Sequence, residues 1–438
     1  MLEKLFGLKA HGTTVRTEVL AGATTFLTMA YIIVVNPAIL SEAGMPIAAV
    51  AATTCLSAGI GSLLMGFLAN YPLALAPGMG LNAYFTYTVV KGLGVPWETA
   101  LGCVFVSGVA FLLLTVAGVR QLIVRSIPKP LLAATAAGIG LFIAFIGLKN
   151  AGLVVASPVT TVALGDLKTP TALLTLAGLV LIAALQARKV KGAMLIGILV
   201  ITVIGWFLGL SKWTGWTFGP AALMQTFGKL DIPGAFNLGG SFGVALLEII
   251  FVFLFVDLFD NVGTLAAVTK RAGLQGPDGE IPRLNRILYA DSIAAMAGAV
   301  AGTTTVTSYV ESASGVAVGG RTGLTAVVTG LLFLLALLVA PLAGLVPAAA
   351  TAPALILVGA MMVGALGEVE WDNPLDAVPA FLTVVMIPLT FSIANGLAFG
   401  ITAYAVLKIA AGKAGKGDWM LFVLGGLFVL RFAYLAAA

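Results

Sequence analysis

The sequence predicts an all-α membrane protein of fourteen transmembrane spans in two inverted repeats of seven, with short extended stretches in the third and tenth spans. Three observations predict it. Of 438 residues, 60% are hydrophobic and only 9% charged, against about 25% charged in a soluble domain, which has to face water. The 53 glycines and 19 prolines are too many for uninterrupted helices but suit membrane helices that break. Apolar runs of about 20 residues, the length that crosses a bilayer, recur from end to end. This composition excludes a soluble enzyme, a disulfide scaffold and a nucleic-acid binder.

Marked by apolar length and by the charged or Pro/Gly punctuation between them, the spans are 17–40, 46–69, 73–92, 96–118, 128–148, 169–187, 191–210, 242–267, 284–301, 303–319, 323–345, 352–367, 375–393 and 395–411. Met1 to Arg16 is polar, shows no cleavable signal peptide, and leaves His11 in a solvated setting. With the N-terminus inside, the cytoplasmic segments receive Lys4, Lys9, Arg16, Arg120, Arg125, Lys129, Arg188, Lys189, Lys191, Lys270, Arg271, Arg283, Arg286, Arg321, Lys408, Lys413 and Lys416. The outside receives only Lys91, Lys149, Lys168, Lys212 and Lys229. That bias obeys the positive-inside rule, so the net charge of +5 reports topology and does not call for nucleic acid. The last apolar run, Trp419 to Ala438 with Arg431, is expected in the interface, keeping both termini cytoplasmic. Cys55 and Cys103 lie in apolar runs and are expected as buried free thiols.

An internal repeat links the first and eighth spans. Phe26 to Asn36 and Phe251 to Asn261 both run ten residues from Phe to Asn, each followed four residues later by Leu, Leu40 and Leu265. Ile127-Pro128 and Val346-Pro347 give a second echo. Seven is odd, so two sets of seven spans run in opposite senses, an arrangement that places a site at the repeat interface.

Ionisable groups inside a bilayer are costly and mark candidate functional residues. The eighth span holds Glu248, Asp257 and Asp260, the ninth Asp291 and the tenth Glu311; the other charges fall near span ends. Glu248 is near the outer end of its helix, where solvent contact accounts for it. Asp257 and Asp260 are three apart, on roughly one helical face, and two such carboxylates cannot both be charged cheaply in a low dielectric. This arrangement suits proton coupling; satisfaction by neighbouring helices or amides is the structural alternative.

The third and tenth spans make poor ordinary helices. Ala76 to Ala83 carries Pro77, Gly78 and Gly80, and Gly302 to Gly315 is rich in Thr and Ser. Irregular backbone at matching positions of two repeats points to a binding site. In each, an extended stretch is expected to precede a half-helix, with Asn82 and Glu311 near the two N-termini. Asn82 also fits an N-cap role, and the Thr run fits either cavity lining or back-bonding to its own helix.

These residues resemble the nucleobase-cation symporters related to the uracil permease UraA, in particular their AzgA-like purine branch. The resemblance rests on Thr24 to Pro37, Pro77 to Phe85, Phe255 to Leu265 and Thr307 to Ser312, in order along nearly the whole chain. It implies a UraA-like fold with a core domain (residues 1–127 and 241–345, spans 1–4 and 8–11) that carries substrate past a gate domain (128–240 and 346–438) in an elevator-like movement. It implies a purine nucleobase as substrate (hypoxanthine, guanine or adenine), H+ rather than Na+ as coupling ion, no cofactor or metal, and a cell-membrane location among lipid; a homodimer is compatible with it. By the same resemblance, Asp260 is the eighth-span carboxylate, Glu311 the tenth-span acid, Asn82 the third-span Asn and Asp291 the ninth-span Asp. Thr264 stands where the uracil permease has a His. Glu311 with the backbone around Ser312 and Ala83 is then expected to hold the base, Asp260 to take up the proton, and Asp257, Asp291 and Thr264 to support that coupling. Thr28 and Tyr31 line the site from the first span or pack in its core.

A flat purine with a donor and acceptor edge agrees with such a pocket. Carboxylates accept from ring N–H and amino groups, and half-helix amides donate to ring acceptors. An anion carrier of the same architecture is disfavoured by the acids, and a membrane enzyme by the absence of any metal-ligand cluster or Ser-His or Cys-His pair within the spans. A uracil or xanthine carrier is the nearest rival.

Overall fold

The computed structural model describes residues 2–118, 128–211, 220–237, 243, 245–276, 280–415 and 418–437. Arg120, Arg125, Lys212 and Lys416, the domain boundaries drawn at 127 and 240, and the side chain of Arg431 lie outside the described residues. Seven helices among the described residues are long and apolar enough to cross a membrane: Val15–Ser41, Ile47–Ala69, Trp97–Val116, Lys129–Asn150, Pro170–Ala187, Ala348–Glu368 and Ile393–Ala410. Shorter apolar helices occupy Ala193–Phe207, Gly323–Ala336, Pro374–Leu389 and Trp419–Leu430. The helices that carry the acids, Ala245–Ala272 and Leu284–Ala301, lie where the sequence places the eighth and ninth spans.

The first apolar run is one span in two pieces, helices Val15–Met29 and Ile32–Ser41, which meet at Ala30 and Tyr31. Two hydroxyls back-bond just before the junction: Thr24 Oγ1 donates to Leu20 O at 2.8 Å, and Thr28 Oγ1 to Thr25 O at 2.9 Å. Such bonds bend helices by competing for carbonyls. Tyr31, at the junction, has its ring fully buried.

Extended backbone occurs in both expected places, as β1 (Leu75–Pro77) and β4 (Val306–Ser308), which pair antiparallel with Leu75 opposite Ser308 and Pro77 opposite Val306. Backbone polar groups have no water to turn to inside a bilayer, and the two broken spans satisfy each other. Gly78 N donates to Thr305 O at 3.0 Å and Tyr309 N to Ala74 O at 3.0 Å, extending the ladder at both ends. On β1's other edge, Leu75 N donates to Ser62 Oγ at 3.0 Å. Pro77 has no N–H to give, and its carbonyl accepts Tyr309 OH at 2.5 Å. Half-helices follow each strand: Met79–Ala83, continued by π-helical turns over Tyr84–Val90, and Ser312–Val318.

A second strand pair, this one a hairpin, goes beyond the sequence expectation. Strands β2 (Val154–Ser157) and β3 (Thr161–Leu164) pair antiparallel in the segment between the fifth and sixth apolar runs. Two β-branched tetrapeptides around Pro158 were the available signal.

Contacts group the chain into two compact units, residues 1–113 with 147–355, and residues 114–146 with 356–438. In the first, Gly59 and Gly66 on helix Ile47–Leu64 and its π-helical extension bring backbones together. A Cβ on Gly66 would stand 2.6 Å from Gly323 O, and one on Gly59 3.2 Å from Gly330 O. In the second, Gly140 meets Gly359 in the same way, and Gly396 and Gly400, four apart, seat helix Ile393–Ala410 on Ile387 and Thr383. Small residues are what let helices pack closely where hydrophobic burial between them supplies little drive.

Repeat-related Asn36 and Asn261 are both fully buried. Asn36 Nδ2 donates to Thr54 Oγ1 at 2.8 Å and to Thr303 Oγ1 at 2.9 Å, joining the first span, the second and the approach to β4. Cys55 and Cys103 are free and buried, as expected.

Candidate substrate-binding site

The pairing of β1 and β4 brings the sequence's main candidates together within the first unit. Glu311 is the N-cap residue of the half-helix Ser312–Val318, yet its carboxylate does not cap it. Its Oε1 instead accepts Tyr31 OH at 2.6 Å, across 280 residues of sequence. Tyr31 therefore orients an acid, a more specific role than packing. Glu311 itself is half-buried and faces open space.

Asp260 is also half-buried, whereas its helix neighbours Asp257, Asn261 and Thr264 are buried. Three residues along a helix turn the side chain by about 60°, and here that separates an acid facing space from one facing protein. The two carboxylates thus differ in surroundings more than a shared helical face implies. Asp260 Oδ2 lies 3.7 Å from where a Cβ on Gly78 would be, so the acid stands against the end of β1. Asp291 is fully buried on helix Leu284–Ala301, which suits a supporting role.

Asn82 is fully buried in the first half-helix, but Gly78 is the N-cap there, so Asn82 does not serve as one. Its Oδ1 accepts Thr304 Oγ1, which ties the half-helix of one repeat to the Thr run of the other. The threonines of that run are not helical: Thr303 and Thr304 lie in a bend before β4 and bond across to Asn36 and Asn82. The hydroxyls of Thr305, Thr307 and Ser308 are buried without a protein partner, as is Asn82 Nδ2. Buried polar atoms in this state are places where water or a ligand's polar edge is held.

Ser312 Oγ accepts Ala74 N at 3.0 Å and its own N–H goes to Tyr309 O at 3.1 Å, so both groups already serve the strand pair and its approach. Ala83 is fully buried. Thr28 spends its hydroxyl proton on its own helix and is half-buried. Two contributors escaped the sequence reading. Tyr309 lies inside a motif already singled out, and its hydroxyl bond to Pro77 was invisible without the strand pairing. Glu18, at the N-terminal end of the first span in the sequence, is fully buried.

Gly78 leaves the space between Asp260 and Thr307, whose Cγ2 would lie 2.9 Å from an added Cβ. Gly78→Ala is therefore expected to weaken ligand binding about tenfold by pushing β4 or the acid out of place, since an overpacked methyl costs about 1–3 kcal/mol. A binding titration on the purified variant checks it, with thermal melting as the control for folding.

No group of three or more His, Cys, Asp or Glu able to hold a metal occurs among the described residues. The site is instead two half-buried carboxylates, a tyrosine hydroxyl and the backbone of two paired strands. Residues 16–430 match Xan_ur_permease, described as a permease family. The chain belongs to this family. The permease is 48% identical to the adenine permease AdeP of Escherichia coli (strain K12) over 100% of its own length and 97% of that protein's. It is 44% identical to the guanine/hypoxanthine permease PbuG of Bacillus subtilis (strain 168), covering 99% of this chain and 100% of that one. Among solved structures, the transmembrane domain of the cyanobacterial bicarbonate transporter BicA superposes with a TM-score of 0.67 at 16% identity, over 88% of the permease and 97% of that chain. The permease thus shares a fold with an anion carrier, and at that identity the likeness concerns fold alone. It is an integral membrane transporter and not an enzyme, in keeping with the sequence reading.

Proposed function

We propose that this permease imports purine nucleobases by proton symport across the cell membrane. The observation that carries the reading is the pair of half-buried carboxylates, Asp260 and Glu311, set beside the β1–β4 strand pair. Similarity over the full length to permeases named for adenine and for guanine/hypoxanthine supports purines over uracil or anions.

In this mechanism Glu311 accepts from ring or amino N–H groups of the base. A carboxylate has about four acceptor positions, and Tyr31 takes one of them. Thr305, Thr307 and Asn82 supply hydroxyl and amide groups that the protein leaves unpartnered. Asp260 takes up a proton as the base binds, with Asp257, Asp291 and Thr264 in support, and neutralising it lowers the cost of moving the loaded site through the membrane. The fourteen-span topology with a cytoplasmic N-terminus, and the elevator-like passage of the core (1–127, 241–345) past the gate (128–240, 346–438), belong to this proposal.

The test is uptake into proteoliposomes under an imposed pH gradient, with labelled adenine, guanine, hypoxanthine and uracil in parallel. Accumulation of one or more purines that collapses with the gradient is expected. Uptake of uracil alone, or accumulation driven by Na+ and indifferent to pH, overturns the assignment.

A further inference from the structure

We infer that Glu18 and Arg321 form a brace that positions the half-helix Ser312–Val318, and through it Glu311. The inference rests on the reading of Glu311 as a ligand-binding group.

A seven-residue helix has no stability of its own, because nucleation is unfavourable and isolated helices of fewer than about 12 residues are marginal. Something outside it must fix its position. At its C-terminal end, Arg321 Nη1 donates to Val316 O and to Gly320 O, both at 2.7 Å. Val316 O belongs to the last turn of the half-helix and also accepts Gly319 N at 3.0 Å, while Gly320 O lies just past its end; a cation there meets the negative end of the helix dipole. Between the half-helix and Arg321 the chain turns through Gly319 at φ +114°, a conformation that glycine adopts without strain.

Arg321 is in turn held by Glu18. Glu18 Oε1 accepts Arg321 N at 2.9 Å, while Oε2 accepts Thr325 N at 3.2 Å, Thr322 N at 3.3 Å and Thr325 Oγ1 at 2.5 Å. One buried carboxylate thus caps helix Gly323–Ala336, where an anion is favoured, and pins the backbone of the residue that caps the preceding half-helix. Asn70 completes that cap, its Oδ1 accepting Gly323 N at 2.7 Å.

Helix Val15–Met29, which carries Glu18, touches the half-helix along its length. Glu18 acts beyond its C-terminus. Gly315 at its middle lies so close that an added Cβ would stand 2.7 Å from Ala21 O and almost on Thr25 Oγ1. Tyr31 holds Glu311 at its N-terminus. Residues 18 to 31 therefore work as a splint, and Arg321 is the end stop. Loosening the stop lets the half-helix slide or fray and moves Glu311 away from Tyr31 with no change in the acid itself.

Full-length protein in proteoliposomes tests this with labelled hypoxanthine. Arg321→Gln is expected to raise the half-saturation concentration about tenfold, the worth of a charge-assisted hydrogen bond, with the maximal rate per folded transporter nearly unchanged. Arg321→Lys, which keeps a cation able to reach the carbonyls, is expected to recover most of the loss. Glu18→Ala is expected to act in the same direction; where it fails to fold, Arg321→Gln, which keeps Glu18's backbone partners, carries the test. Amide hydrogen exchange of residues 312–318 without substrate reads the brace independently of any purine, and protection is expected to fall in Arg321→Gln. Unchanged protection, or loss of folded protein with an unchanged half-saturation concentration, overturns the brace. Wild-type affinity in Glu311→Gln alone would instead overturn the binding reading.

Discussion

Asp260→Asn is expected to abolish accumulation of labelled hypoxanthine driven by a pH gradient, while exchange of labelled for unlabelled base continues. Asn keeps the size and one acceptor oxygen of the acid but cannot take up a proton. One pH unit is worth 1.36 kcal/mol per proton, so one-proton coupling supports about tenfold accumulation per unit, and an uncoupled variant about none. Counterflow needs only binding and passage, and the variant should retain it. The electrostatic setting makes this residue the choice over Asp257. Asp260 is half-buried at the end of β1, while Asp257 is buried. A charged acid facing a substrate that must cross a membrane is costly, and in the proposed mechanism protonation as the base binds removes that cost. Wild-type accumulation by Asp260→Asn would show that another group carries the proton.

The helices were legible because their apolar runs are long: the eighth run was placed at 242–267 and forms Ala245–Ala272, the ninth at 284–301 and forms that helix. Breaks in the third and tenth runs were legible from Pro77, Gly78 and the Thr series, since those residues resist helix. Their pairing was not, because Leu75 and Ser308 are partners across more than half of the chain and no local pattern encodes a distant register. Glu18 shows a different limit. Its position in the first turn of a helix looks like a solvated end, and only the packing of Gly323–Ala336 against it makes it interior. Asp257 and Asp260 show a third: spacing gives the angle between side chains and leaves open which of them meets protein. Sequence pattern locates elements, and tertiary contacts decide what a given polar group faces.

Glu311→Gln is expected to weaken purine binding by about 100-fold or more with the fold intact. Tyr31 OH donates to Glu311 Oε1 at 2.6 Å. In the variant the amide carbonyl is the group that can accept this bond, which turns the NH2 toward the base. A donor then meets the ring N–H that the carboxylate would have accepted. Losing a hydrogen bond to a charged group costs about 1.5–3 kcal/mol, and leaving a buried donor unmatched about 1–3 kcal/mol more; each 1.4 kcal/mol is tenfold in affinity. Sites built to hydrogen-bond a substrate discriminate strongly for this reason. Tyr31→Phe separates orientation from acceptance: it keeps the carboxylate, removes only the bond that aims it, and should cost about tenfold. Equilibrium binding of labelled hypoxanthine or adenine to the purified variants decides the matter, with melting temperature as the check on folding. If Tyr31→Phe weakened binding and Glu311→Gln did not, the tyrosine and not the acid would be the group that meets the base.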